Sequence, residues 1–327
     1  MRRFLLTVGF VLFAVPAAAQ QPRKADSPAP PSGRPWFVDD KQLFDDFMEK
    51  LTELARAGKC LDHDKLVAKM KPGRAKITPA KAGDRVMSAE EIYKHALPSV
   101  FVVGSVYKDK CGEWQDGMYA TAWVAAADGV LVTNWHVFEE LEAGEVFGAL
   151  DHKGNVYPVV DILGGDKVAD IAVIRIDARG LTPLPVAESF AEVGSWVGVL
   201  GHPGDNFYIY TQGHVTRYSQ NKNDDGKRER WMGVTAEYAG GSSGSPVLNK
   251  HGAVVGMAAL TLTLDAGDGG QPRNPGRRRP ALRQPPEVAP PPRPKGGDAN
   301  EAPRGSSVQM VVRMAVPGPT ILRTLGK

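Results

Sequence analysis

Three side chains that could share one proton stand in three short stretches of the 327-residue chain. His136 lies in Thr133-Asn134-Trp135-His136-Val137, and Asp170 in Ala169-Asp170-Ile171-Ala172-Val173-Ile174. Ser243 lies in Gly240-Gly241-Ser242-Ser243-Gly244-Ser245-Pro246-Val247. A serine hydroxyl is a weak nucleophile until a base within hydrogen-bond reach takes its proton, and that base needs a carboxylate to hold it in one tautomer. Glycines around a serine leave the backbone bare and permit φ > 0, so the hydroxyl can be presented on a sharp turn. Successive N–H groups of such a turn can also hold a developing oxyanion. Rivals exist for each role: Ser242 and Ser245 as nucleophile, His202 and His214 as base, Asp161 and Asp166 as the orienting carboxylate.

The elements that must position these residues read as strands. Segments 100–106, 119–125, 129–133, 156–162, 171–176, 195–200, 208–218, 231–236, 247–248, 253–260 and 308–316 are short and rich in Val, Ile, Tyr and Thr. Gly, Asp, Asn or Pro separates them, which predicts an all-β sandwich or barrel. His136 falls just past one apolar strand, and Asp170 immediately before another. Asn221 to Gly226 begins like a calcium loop, but Met232 stands where the twelfth-position Glu should be, so a hairpin loop is expected.

Outside the strands, residues 1–19 read as a signal peptide, with a basic start, an apolar core and Ala17-Ala18-Ala19 for cleavage. This predicts export, to the periplasm or beyond the cell, with no stable membrane insertion after cleavage. Residues 20–37 form a Pro-rich linker expected to stay unfolded. Residues 38–97 are a helical extension. Leu43, Phe44, Phe47, Met48, Leu51, Leu54 and Ala55 recur at helical spacing, with Asp39 or Asp40 to cap the start and Gly58 to end it. This stripe predicts a helix packed on the main domain, the alternative being a propeptide, a regulatory arm or an oligomer contact. Residues 59–87 are weakly patterned, and His63 is expected at the surface. Ser88 and Glu91 have capping-box spacing for a second short helix that Pro98 closes.

Between the last two strands, residues 266–306 hold ten prolines, and eight basic residues against four acidic ones give a net charge of +4. Such a segment cannot bury a core and reads as a disordered insertion. Residues 319–325 suggest a short terminal helix. Cys60 and Cys111 are the two cysteines, and export would leave them free to pair or to stay as separate thiols. No Cys/His cluster has zinc spacing, so neither metal nor cofactor is expected. A formal charge of +3 gives no argument for nucleic acid.

Thr-Asn-Trp-His-Val, Asp-Ile-Ala-Val-Ile and Gly-Ser-Ser-Gly-Ser-Pro-Val together resemble the three active-site motifs of the trypsin-like serine endopeptidases. The likeness is to the bacterial branch of HtrA-type and glutamyl-endopeptidase-like enzymes. It runs from about Pro98 to the C-terminus, and includes Gly201-His202-Pro203-Gly204 and Met314-Ala315-Val316-Pro317. The resemblance implies two six-stranded antiparallel β-barrels over 98–327, with His136 and Asp170 from the first and Ser243 from the second. It singles out Ser243, since only that serine keeps the Gly-x-Ser-Gly frame, and it implies an oxyanion hole from the N–H groups of Gly241 and Ser243. It also places a substrate pocket near Glu237, Tyr238 and Ala258, where Glu237 would either favour basic side chains or point to solvent. The implied function is an exported serine endopeptidase acting on polypeptides; the alternative is an inactive relative that binds proteins. The order His, Asp, Ser argues against an α/β-hydrolase esterase. Since the barrel consumes the C-terminus, no PDZ-like module is expected to follow.

Overall fold

The computed structural model describes residues 37–223, 225–265 and 308–326. The expected signal peptide (1–19), all but the last residue of the linker (20–37) and the insertion (266–306) lie outside them. Among the described residues, twelve strands close into two antiparallel barrels. The first runs β1 (Val100–Lys108), β2 (Trp114–Ala126), β3 (Val130–Thr133), β4 (Val146–Leu150), β5 (Val156–Asp166) and β6 (Ile171–Ile176). The second runs β7 (Trp196–Gly201), β8 (Ile209–Lys222), β9 (Arg228–Val234), β10 (Pro246–Leu248), β11 (Val254–Asp265) and β12 (Val308–Pro317). Around the barrels the orders are β1-β2-β3-β6-β5-β4 and β10-β11-β12-β9-β8-β7, the same winding twice. This is the all-β, two-barrel fold expected.

Side-chain alternation explains why the two barrels sit on a shared core. Phe101 and Val103 of β1, Leu131 of β3 and Ala172 and Ile174 of β6 fill the first barrel. Their strand neighbours Val100, Val102, Val130, Val132, Ile171 and Val173 point the other way, into a cluster joined by Leu200, Leu248, Val254 and Val316 of the second barrel. These strands are apolar on both faces because both faces are buried.

Helices cover this assembly. In α1 (Asp40–Arg56), Asp39 caps the start by accepting the Gln42 N–H, and Phe47, Met48 and Leu51 are buried. Gly104 and Gly148 make the docking possible. A Cβ at Gly104 would stand 2.6 Å from Phe47 Cε1, and one at Gly148 would stand 2.5 Å from Leu51 Cδ1. A short helix, α2 (His63–Lys69), follows. In α3 (Ala89–Ala96), Ser88 and Glu91 form the expected reciprocal capping box. At the C-terminus, α4 (Gly318–Leu325) buries Ile321 and Leu325. Between α2 and α3 the chain runs as a strap. It pairs Gly73 with Gly165, then donates from Ala75 and Ile77 to the carbonyls of Thr324 and Leu325, and from Met87 to that of Lys250.

The structure adds detail to several expectations. Helix α2 carries only its Asp62 N-cap as a signal; with seven residues and only Leu66 buried, it is too short to show periodicity. His63 is its first residue and is half-buried. Strand β4 is likewise hidden in the sequence, because Gly148 and Ala149 dilute its β character. Cys60 and Cys111 are both free. Cys111 sits exposed in the β1–β2 turn, where Gly112 donates back to Asp109, whereas Cys60 is half-buried after α1 and beside β5. Burial pushes the Cys60 thiol up to about 11.

Candidate active site

Register brings the first two residues together. β3 pairs with β6 so that Thr133 faces Ala172. The chain beyond Thr133 and the chain before Ala172 therefore leave the barrel at the same end. There Trp135–Phe138 forms a 3-10 turn that carries His136. Asp170 adopts φ 56°, in the left-handed region, and the buried Asn134 amide donates to its carbonyl at 2.9 Å. The Asp170 carboxylate takes two bonds from one residue: the His136 backbone N–H at 2.9 Å and Nδ1 at 2.8 Å. That leaves Nε2 facing outward, 3.0 Å from Ser243 Oγ. The pair is partly shielded, with His136 26% and Asp170 15% exposed at the side chain.

The serine turn of the second barrel is clamped by the first. Thr121 of β2 donates its N–H to the Ser243 carbonyl at 2.8 Å and its hydroxyl to the Gly241 carbonyl at 3.1 Å. Its own carbonyl accepts from the Thr133 hydroxyl at 2.7 Å. Gly244, at φ 90°, must be glycine, since a Cβ there would run into the Thr121 carbonyl and stand 2.5 Å from Thr133 Oγ1. Within the second barrel, Gly244 donates to Ala258 and Ala258 to Ser245. Thr121 escapes sequence reasoning because an isolated threonine in a strand gives no signal.

Gly241 adopts φ 86°, and its approach to the His202 carbonyl and the Tyr119 ring excludes a side chain. Among the described residues, the N–H groups of Gly241 and Ser243 have no partner, whereas the Ser242 N–H donates to Ala239 and that of Ser245 to Ser242. The two candidate oxyanion donors are thus the ones left unused.

The rivals stand outside this line of contacts. Ser242 and Ser245 are buried. His202 is fully buried, accepts from the Tyr208 N–H at Nδ1, and is pushed down to about 3 by burial. His214 lies on β8 with its backbone bonded to Thr235. Asp161 pairs with Lys69, and Asp166 closes a turn by accepting from Val168 and Ala169.

For the substrate pocket, Ala258 and Tyr238 are buried, and burial pushes the Tyr238 phenol far up. Glu237 realises the solvent-pointing alternative: its side chain is 77% exposed and lies 3.5 Å from Arg313. Arg313, only 16% exposed, donates to the Tyr238 carbonyl. The expected pocket region therefore holds a partly buried cation, Arg313, beside an acid that faces solvent. Among the described residues no group of three His, Cys, Asp or Glu could hold a metal, and no helix is long and apolar enough to cross a membrane.

Residues 120–257 match the family model of the trypsin-like peptidase domain. A probable periplasmic serine endoprotease, DegP-like, of Chlamydia muridarum is 31% identical over 157 residues, covering 48% of this chain and 30% of that protein. Serine endoprotease DegS of Haemophilus influenzae is 27% identical over 147 residues, covering 44% and 42%. The putative serine protease HhoB of Synechocystis is 26% identical over 145 residues, covering 42% and 33%. The matches thus span less than half the length of each relative.

Proposed function

We propose, for a chain that belongs through its two-barrel domain to the trypsin-like serine peptidases of the HtrA type, that it is an exported endopeptidase working through His136, Asp170 and Ser243. What supports this most is a single line of hydrogen bonds crossing from barrel to barrel, Asp170 to His136 at 2.8 Å and His136 to Ser243 at 3.0 Å. Export is the reading favoured by relatives named as periplasmic and by the leader-like first 19 residues.

In this mechanism Ser243 Oγ attacks the scissile carbonyl carbon while Nε2 of His136 takes its proton. Asp170 fixes the tautomer by accepting from Nδ1, and it stabilises the imidazolium that forms. The carbonyl oxygen, now an oxyanion, is held by the N–H groups of Gly241 and Ser243. His136 then returns the proton to the leaving amine, the C–N bond breaks, and an acyl-serine remains. Water, deprotonated by His136, attacks that ester and releases the acid, and Ser243 recovers its proton.

The test is a fluorophosphonate probe with mapping of the modified residue, followed by Ser243→Ala. Labelling at Ser243 and loss of turnover in the variant are expected, with the far-UV spectrum unchanged. An unlabelled protein, or a variant that still hydrolyses peptides at the wild-type rate, would favour the alternative of a protein-binding relative.

A further inference from the structure

Apart from the peptidase chemistry, three arginines converge from two separate elements. β9 opens Arg228-Glu229-Arg230, and the period of two along a strand puts the two guanidiniums on one face and Glu229 on the other. Arg323 reaches the same place from α4, along with Thr320 of the first helical turn. The third wall is the Asp166–Ala169 turn of the first barrel. Together they line a cavity of about 160 Å³.

Few of the donors around this cavity are used within the protein, and the three arginines are exposed. Each guanidinium offers five N–H donors. Arg230 uses Nε on Gln220 Oε1 at 3.2 Å, and Arg323 uses one terminal nitrogen on Thr320 Oγ1 at 3.1 Å. Arg228 has no hydrogen-bond or ion-pair partner among the described residues, and none of the three is ion-paired to a described carboxylate. The single acid in the lining, Asp166, turns Oδ1 away to the N–H groups of Val168 and Ala169, each at 3.0 Å. Three positive charges stand against one negative around this surface cavity, and Arg228, Arg230 and Arg323 are all exposed, so an anion entering it would meet an excess of positive charge. The first turn of α4 has Pro317 as its N-cap, with no side-chain acceptor, and adds positive potential on the same side.

We propose that this cavity is an oxyanion site that takes a phosphate group, held by Arg228 and Arg230 of β9 and Arg323 of α4. Guanidinium forks match phosphate oxygens two at a time, which an ammonium does not. The size restricts the ligand to a head group. The volume is about five times a water's share of the liquid, roughly 30 Å³, and it lies below the roughly 300 Å³ at which pockets begin to enclose whole drug-sized ligands. A bound phosphate would tie β9 and α4 to the turn that ends at Asp170. The proposal stands whether or not the chain hydrolyses peptides.

The experiment is isothermal titration of the full-length protein with inorganic phosphate and, separately, with O-phosphoserine. It is paired with thermal unfolding in phosphate against chloride at equal ionic strength. Saturable binding near one equivalent is expected, with a rise in the unfolding midpoint that chloride does not reproduce. Equal affinity for the two ligands would identify free phosphate as sufficient, and tighter binding of the monoester would point to an organic phosphate. The double variant Arg228→Gln/Arg323→Gln should bind at least tenfold more weakly while labelling with fluorophosphonate at the wild-type rate. Should that variant fail to fold, Arg228→Gln alone, on an exposed strand end, carries the same expectation. Absence of saturable binding to the wild type, or wild-type affinity in the folded variants, overturns the proposal.

Discussion

Gly241→Ala is the sharpest probe of the oxyanion turn, because its neighbour supplies a control. At φ 86° an alanine is disfavoured by about 1–2 kcal/mol. Its Cβ would stand 2.6 Å from Tyr119 Cε2, where ordinary contact begins at 3.4 Å, and would press on the His202 backbone carbonyl. His202 is fully buried, and Tyr119 is pinned by the Asp205 N–H donating to its hydroxyl at 2.7 Å. Neither can retreat, so residue 241 itself must shift by roughly 1 Å. Displacing one oxyanion donor by that much is expected to lower kcat by about 10²–10³, with KM little changed. Gly240, by contrast, has open space within 4 Å of where a methyl group would sit, and no positive φ. Gly240→Ala should therefore stay within about twofold of wild type. The assay is steady-state hydrolysis of an internally quenched peptide, with circular dichroism to establish that each variant is folded. A folded Gly241→Ala enzyme with near-wild-type kcat, or equal damage from Gly240→Ala, refutes the reasoning.

Three further outcomes follow from burial. His202 is held neutral, at about 3 against an ordinary 6.5, so its share of stability is complete above pH 6.5 and drains as pH falls toward 3. At about 1.4 kcal/mol per pH unit, the stability advantage of wild type over His202→Gln should shrink by about 2 kcal/mol between pH 7.5 and 5. Urea unfolding at the two pH values measures this, and a constant difference contradicts it. Thiol titration of the native protein without reductant should find one fast group, Cys111, and one slow group, Cys60, whose thiol is pushed up to about 11; fewer than two thiols on unfolding would mean a disulfide. Leu51→Ala, at a fully buried position between α1 and Gly148, should cost about 2–5 kcal/mol, whereas a loosely attached arm would lose nothing in the same unfolding assay.

What is legible in the sequence is whatever is local. The His136, Asp170 and Ser243 stretches each carry their turn or strand within a few residues, and β6 reads at its true bounds, Ile171–Ile176, because its apolar run is unbroken. The contacts that fix the site are long-range and leave no such trace. Thr121 reaches the serine turn from more than a hundred residues away, through two bonds, and nothing beside it in the chain marks that role. The N-terminal extension makes the same point more strongly. Its apolar stripe announces a helix packed on the main domain, but not which residues receive it. Asp40 accepts the Phe207 N–H at 2.8 Å, and Phe44 stacks on Phe207, with ring centroids 6.5 Å apart, and meets Tyr119 edge-on at 6.2 Å. Tyr119 is the ring that excludes a side chain at Gly241. Helix α1 is thus two contacts from the serine turn, through the Phe44 and Tyr119 rings to Gly241. The helix that looks like a cover for the first barrel is, in packing terms, a brace for the serine turn of the second.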